Sequence, residues 1–127
     1  MAGKTLPGDI ITQPSQVVYF NAPFDDKKNI PMQITNNGTR RIVWALKCTN
    51  LKRLSVDPPA GILDPNETVS LWIGCEPFNY QLENTEGDRI TVEWTDAPPD
   101  APKRFNREFF QGDVIIRRKN IQIAYNA

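Results

Sequence analysis

The 127-residue chain carries 15 Lys+Arg against 15 Asp+Glu, with 11 Pro, two Cys and no His. Without histidine there is no Ser-His-Asp or Cys-His pair, no imidazole base and no imidazole metal ligand. Two cysteines fall short of a four-cysteine zinc site or a cysteine-held iron–sulfur cluster, and zero net charge lacks the footprint of a general nucleic-acid binder. The length predicts one domain spanning 1–127, and 39% apolar residues are enough for its core. Composition therefore favours a binding or structural module without cofactors over an enzyme.

The opening Met1-Ala2-Gly3-Lys4-Thr5-Leu6-Pro7-Gly8 has no apolar stretch of signal-peptide length and no Gly directly after Met. The longest apolar run, Ile42–Leu46, is far below the ~20 residues of a membrane span. A cytoplasmic chain with no membrane insertion is expected.

Ile10–Thr12 and Val17–Phe20 read as strand segments interrupted by Pro14. A proline removes a ladder donor, so Pro14 is expected to divide one long strand between two sheets. Val17–Phe20 is continuously apolar, as in a strand covered on both faces. Ile30, Met32 and Ile34 then alternate with Pro31, Gln33 and Thr35, the period of a half-buried strand. Asn36-Asn37-Gly38 is a hairpin-type signal leading to Ile42–Leu46, a second continuous run. Asp57-Pro58-Pro59 is a further kink, followed by a short Ile62-Leu63 segment before Asp64-Pro65-Asn66. Pro14 and Pro58 are candidates for cis peptide bonds.

Val69, Leu71, Ile73 and Cys75 alternate with Ser70, Trp72 and Gly74. The polar stretch from Asn79 to Asp88 reads as a solvent loop, and Ile90, Val92 and Trp94 resume the alternation. Ala97 to Pro102 holds three prolines and excludes regular structure, whereas Lys103 to Gln111 has room for a helical turn or two. Ile121, Ile123 and Tyr125 close the chain as a strand. Seven or eight short strands with almost no helix predict an all-β, immunoglobulin-like antiparallel β-sandwich. The Cys…Trp…Cys spacing of true immunoglobulin domains is absent.

Asp25-Asp26 and the group Glu83, Glu86, Asp88 lack the spacing of a calcium loop and read as solvated acidic residues. Arg40-Arg41, Lys52-Arg53 and Arg117-Arg118-Lys119 read as scattered solvated charge, or alternatively as one patch for an acidic partner. No aromatic stacking pattern accompanies them, so nucleic acid is not expected. Cys48 and Cys75 are expected as buried free thiols, with a disulfide as the alternative. Trp44, Trp72 and Trp94 fall in strands. Trp72 is out of phase with Leu71 and Ile73, which predicts an exposed ring and a contact surface.

The chain resembles the nematode major sperm proteins from about Pro7 to Asn126. The resemblance rests on Pro7-Gly8-Asp9-Ile10, Phe20-Asn21-Ala22-Pro23-Phe24-Asp25-Asp26-Lys27, Thr39-Arg40-Arg41-Ile42 and Thr49-Asn50-Leu51-Lys52-Arg53-Leu54. It continues through Val56-Asp57-Pro58-Pro59, Leu63-Asp64-Pro65, Asp88–Thr95, Phe110-Gln111-Gly112-Asp113, Arg117-Arg118-Lys119-Asn120 and Tyr125-Asn126. By its Lys28-Asn29-Ile30-Pro31, Lys47-Cys48-Thr49, Phe109 and Val114-Ile115 segments it resembles a divergent member.

The resemblance implies a non-enzymatic seven-stranded sandwich that forms homodimers and filaments for amoeboid sperm motility. Its setting would be the cytoskeleton of the pseudopod, with accessory cytoskeletal proteins as further partners and neither nucleotide nor metal. It also implies release as an extracellular signal to oocytes, and cis bonds at Gln13-Pro14 and Asp57-Pro58. The same domain type occurs in VAP-type receptors, which capture short acidic FFAT peptides and carry a coiled coil and a membrane anchor not seen before Ala127. By that resemblance the peptide face would comprise Lys47, Thr49, Arg89 and Thr91.

Overall fold

The computed structural model describes residues 6–127; the first five residues of the segment read for targeting lie outside it. Among the described residues nine strands form two stacked sheets. They are β1 (Ile10–Gln13), β2 (Val17–Asn21), β3 (Lys28–Asn36), β4 (Ile42–Cys48), β5 (Leu54–Asp57), β6 (Ala60–Leu63), β7 (Thr68–Cys75), β8 (Arg89–Asp96) and β9 (Arg117–Asn126). The four-stranded sheet has the order β1-β3-β7-β5, and the five-stranded sheet β2-β9-β8-β4-β6. All pairings are antiparallel except β2 with β9.

The immunoglobulin-like sandwich expected from the alternation is present, with a higher strand count for a physical reason. Pro14 stands between β1 and β2, and Pro58-Pro59 between β5 and β6; in each case one strand lies in each sheet. A proline cannot donate to the ladder, so the strand leaves one sheet there and re-enters the other. The peptide bonds Gln13-Pro14 and Asp57-Pro58 are cis, as is Ala22-Pro23.

The alternating residues meet between the sheets. Met32, Ile34, Leu71 and Ile73 from the four-stranded sheet face Phe20, Trp44, Ile90, Val92, Ile121 and Ile123 from the five-stranded one, all essentially buried. At ~25 cal/mol per Å² of apolar area removed from water, this layer is the main source of stability. The outer face of β4 is covered too: Val43, Ile62 and Ala97 form a second cluster under Phe105, Phe109 and Phe110. That cover comes from the proline-rich segment after β8, whose regular structure is limited to a 3-10 turn, Arg107–Phe110, capped by the Asn106 side chain.

Two expectations from the sequence fail here. Val17–Phe20 is not covered on both faces: β2 is an edge strand and Tyr19 is exposed. Asn36-Asn37-Gly38 does not make a hairpin, because β3 and β4 lie in different sheets. The fully buried Asn36 carries the crossing, donating to Leu63 O at 3.1 Å and Arg40 O at 2.8 Å and accepting from Gly38 N at 3.0 Å. The asparagine side chain thus satisfies backbone groups that a hairpin ladder would otherwise have paired. Both cysteines are free; Cys75 is buried and Cys48 half-buried.

The alternation along β7 assigns opposite costs to neighbouring residues. Ile73→Ala should destabilise by about 2–5 kcal/mol, whereas Trp72→Ala should stay within about 0.5 kcal/mol. Urea denaturation of the two variants tests this; equal losses would contradict the assigned face.

Candidate functional site

The outer face of the five-stranded sheet gathers the residues that resemblance to a peptide receptor singles out. Lys47 on β4 lies opposite Thr91 on β8, which lies opposite Asn120 on β9. Thr49 and Arg89 sit where β4 and β8 begin to separate, the Arg89 N–H donating to Thr49 Oγ1 at 2.9 Å and the Thr49 N–H to Arg89 O at 3.0 Å. All four residues therefore share one face, but three of them are engaged within the fold. Thr91 Oγ1 and Asn120 Oδ1 are 2.7 Å apart, with the hydroxyl donating. Lys47 Nζ lies 3.1 Å from Glu93 Oε1.

Glu93 is the organising group of this face, and along the chain it is marked only by its phase with Thr91 and Thr95. It is buried and held on two sides, with Arg118 Nε donating to Oε2 at 2.7 Å. Burial pushes its carboxyl up, but the Lys47 and Arg118 hydrogen bonds outweigh burial and hold it below the ordinary value. Beside it opens a cleft of about 430 Å³, floored by Ala45 and Ala60, walled by Phe105 and Phe110, and flanked by Lys47 and Arg118.

A second charged cluster lies at the end of the sandwich where β5 begins and β9 ends. Arg53 and Asp88 are buried, which corrects the reading of both as solvated charge. Arg53 Nη2 donates to Asp88 Oδ2 at 2.7 Å and to Asn84 O at 2.7 Å, while Nε lies 3.0 Å from the Tyr125 hydroxyl. Tyr125 in turn donates to Asp88 Oδ2 at 2.6 Å. The guanidinium also stacks over the Phe78 and Tyr125 rings at 4.4 and 4.9 Å. Burial opposes the Arg53 charge, and the Asp88 bond reverses the effect, so its pKa rises. The Tyr125 hydroxyl is pushed up by burial and by Asp88.

The remaining charges near the β3–β4 crossing are paired at the surface. Arg41 Nε lies 2.6 Å from Asp64 Oδ1, and Lys103 bridges Glu67 and Asp64. The Arg41 hydrogen bond lowers the Asp64 pKa, and the Lys103 hydrogen bond lowers that of Glu67. Among the described residues no three His, Cys, Asp or Glu side chains gather as a metal-binding group. The buried acids Asp88 and Glu93 are both held in ion pairs.

By its fold the chain is an immunoglobulin-like β-sandwich in which each sheet ends in two terminal strands, β1 and β5 in one and β2 and β6 in the other. The MSP (Major sperm protein) domain profile matches residues 9–114, and the chain belongs to the major sperm protein family. It is 56% identical to major sperm protein isoform alpha of Ascaris suum over 126 residues, 99% of each chain. It is 53% identical to major sperm protein 55/57 of Caenorhabditis elegans over the same span and coverage. Among solved structures, WR4, a C. elegans MSP family member, superposes with a TM-score of 0.67 at 20% identity, covering 94% of this chain and 99% of that one.

Breaking the buried pair should be costly. Arg53→Met leaves Asp88 buried without its cation and should destabilise by about 3–5 kcal/mol, with part of that regained in Arg53→Met/Asp88→Leu. Denaturation of both variants checks this, and an unchanged midpoint in the single variant would refute it.

The lowered carboxyls also set a pH dependence. Glu93, Asp64 and Glu67 titrate lower folded than unfolded, so their stabilisation is complete above about pH 4–5 and drains away as pH falls through the lowered values. Denaturation midpoints should fall between about pH 5 and about pH 2, less steeply in Glu93→Gln.

Proposed function

We propose that this chain acts over 1–127 as one MSP domain and as a non-enzymatic, self-assembling cytoskeletal protein of nematode sperm. It would form a two-fold dimer and then filaments that drive amoeboid movement from the pseudopod cytoplasm, alongside accessory cytoskeletal proteins. Release as a signal to oocytes belongs to the same reading. The observation that carries it is the 52–56% identity with major sperm proteins over nearly the whole of both chains.

The open edges support assembly. β1 and β2 are the terminal strands of their sheets and run consecutively through Pro14, so one side of the sandwich presents two adjacent edges. Ile11 and Tyr19 stand exposed on them, at 50% and 54%. Unpaired edges recruit further strands. A two-fold contact closes on itself, so a filament needs a second, head-to-tail contact elsewhere. β4 lies between β8 and β6, and β7 between β3 and β5, so neither offers an open edge.

Capture of acidic FFAT-like peptides is the alternative. Lys47 is already committed to Glu93, and Thr91 to Asn120, which leaves that face poorly equipped for it.

Sedimentation should find a dimer at micromolar concentration, and Tyr19→Glu should weaken dimerisation roughly tenfold, equivalent to about 1.4 kcal/mol. Electron microscopy should show fibres in an excluded cosolvent. A monomer at every concentration, or absent fibres together with micromolar binding of an acidic FFAT peptide, would overturn the proposal.

A further inference from the structure

The outer face of the four-stranded sheet carries a group of polar side chains that neither the core nor the assembly edges use. The register there sets out two short rows across three strands: Pro31, Trp72 and Asp57 in one, and Asn29, Gly74 and Ser55 in the other. Trp72 is 54% exposed, and the outward residues flanking it on β3 and β5 are exposed as well. Gly74 forms the floor. A Cβ placed on it would lie 2.6 Å from Ser55 Oγ, 3.1 Å from Asn29 Oδ1 and 3.5 Å from Lys27 Cε, so two polar atoms and a lysine stem converge over a position with no side chain. The result is a cleft of about 300 Å³ lined by Lys27, Asn29, Ser55, Asp57, Trp72 and Gly74.

The chemistry of the lining restricts what can occupy the cleft. Lys27 pairs with Glu76 at 3.2 Å, so its charge is already answered. An anion would meet Asp57. A wholly apolar ligand would strip water from Asn29, Ser55 and Asp57 and leave them unpaired, which opposes its binding. An added β-strand could pair only along the outer edge of β5 and would not cover Trp72 or Gly74, because β7 is paired on both sides. What remains suited is a neutral ring with an apolar C–H face for the indole and hydroxyls around its rim. Each hydroxyl both donates and accepts, matching the amide of Asn29, the hydroxyl of Ser55 and the carboxylate of Asp57. An aromatic platform beside a few convergent polar groups is the general form of a small-ligand site.

We propose that this face binds a neutral pyranose. Its ring stacks on Trp72, and its hydroxyls bond to Asn29, Ser55 and Asp57. The site goes beyond the assembly reading and lies on a different surface from the β1–β2 edges.

The experiment is an amide-proton NMR titration of the full chain with the methyl glycosides of glucose, galactose, mannose and N-acetylglucosamine. Each is taken to roughly 50 mM to reach the weak millimolar end of the affinity scale. At least one should shift the Trp72 indole N–H and the Gly74 amide together. Trp72→Ala should abolish the response, and Asp57→Asn should weaken it roughly tenfold. Repeating the titration with a disaccharide ending in the responding sugar separates a free monosaccharide from a glycan terminus: tighter binding of the disaccharide assigns the glycan, and equal or weaker binding the free sugar. No shift with any glycoside, shifts that survive Trp72→Ala, or an equal response to the acyclic polyol sorbitol would overturn the proposal. Sedimentation of Trp72→Ala should still show the parent oligomer, so failure of the sugar site and failure of the assembly reading give different results.

Discussion

Two prolines govern how this chain closes its sandwich. A strand that reaches Pro14 or Pro58 loses a backbone donor where its ladder would continue, and each time the chain passes to the opposite sheet. The N-terminal switch supplies one terminal strand to each sheet, and the Pro58-Pro59 switch supplies the other two. Every strand edge of the molecule, among the described residues, therefore comes from two continuous segments, 10–21 and 54–63. The core, the crossing at Asn36 and the outer faces all lie between these two straps.

Within that frame the charged residues act mainly on one another. The neutral total conceals a marked internal order: Arg53 with Asp88, Glu93 between Lys47 and Arg118, Arg41 with Asp64, Arg117 with Asp9. The buried pair Arg53–Asp88 fixes geometry more than it adds stability, since most of its Coulombic gain offsets desolvation.

The strands were legible because a buried sheet face imposes a period of two, and Met32, Ile34, Leu71, Ile73, Val92 and Ile123 all obey it. The exposure of Trp72 followed from the same phase. The fate of Arg53 and Asp88 did not. Their partnership spans 35 positions and a loop, and a charged residue reads as solvated until its partner is known. Tyr125 fits the terminal alternation, yet its hydroxyl contact with Asp88 could not be read from the strand pattern. Asn36 carried a turn signal whose local chemistry suits a hairpin equally well; only the sheet assignments of β3 and β4 distinguish a crossing from a hairpin. The Phe105–Phe110 cover escaped notice because its segment has no periodicity to reveal a buried side.

The N-terminal strap has a mechanical meaning. Its first half is held by the antiparallel ladder of β1 on β3 and its second by the parallel ladder of β2 on β9. Force applied to the strap along its length is resisted by both ladders in shear, where hydrogen bonds share the strain and do not open one after another. The same pull enters both layers of the sandwich at once, so neither sheet is peeled from the other. A subunit gripped there would transmit tension through its whole cross-section.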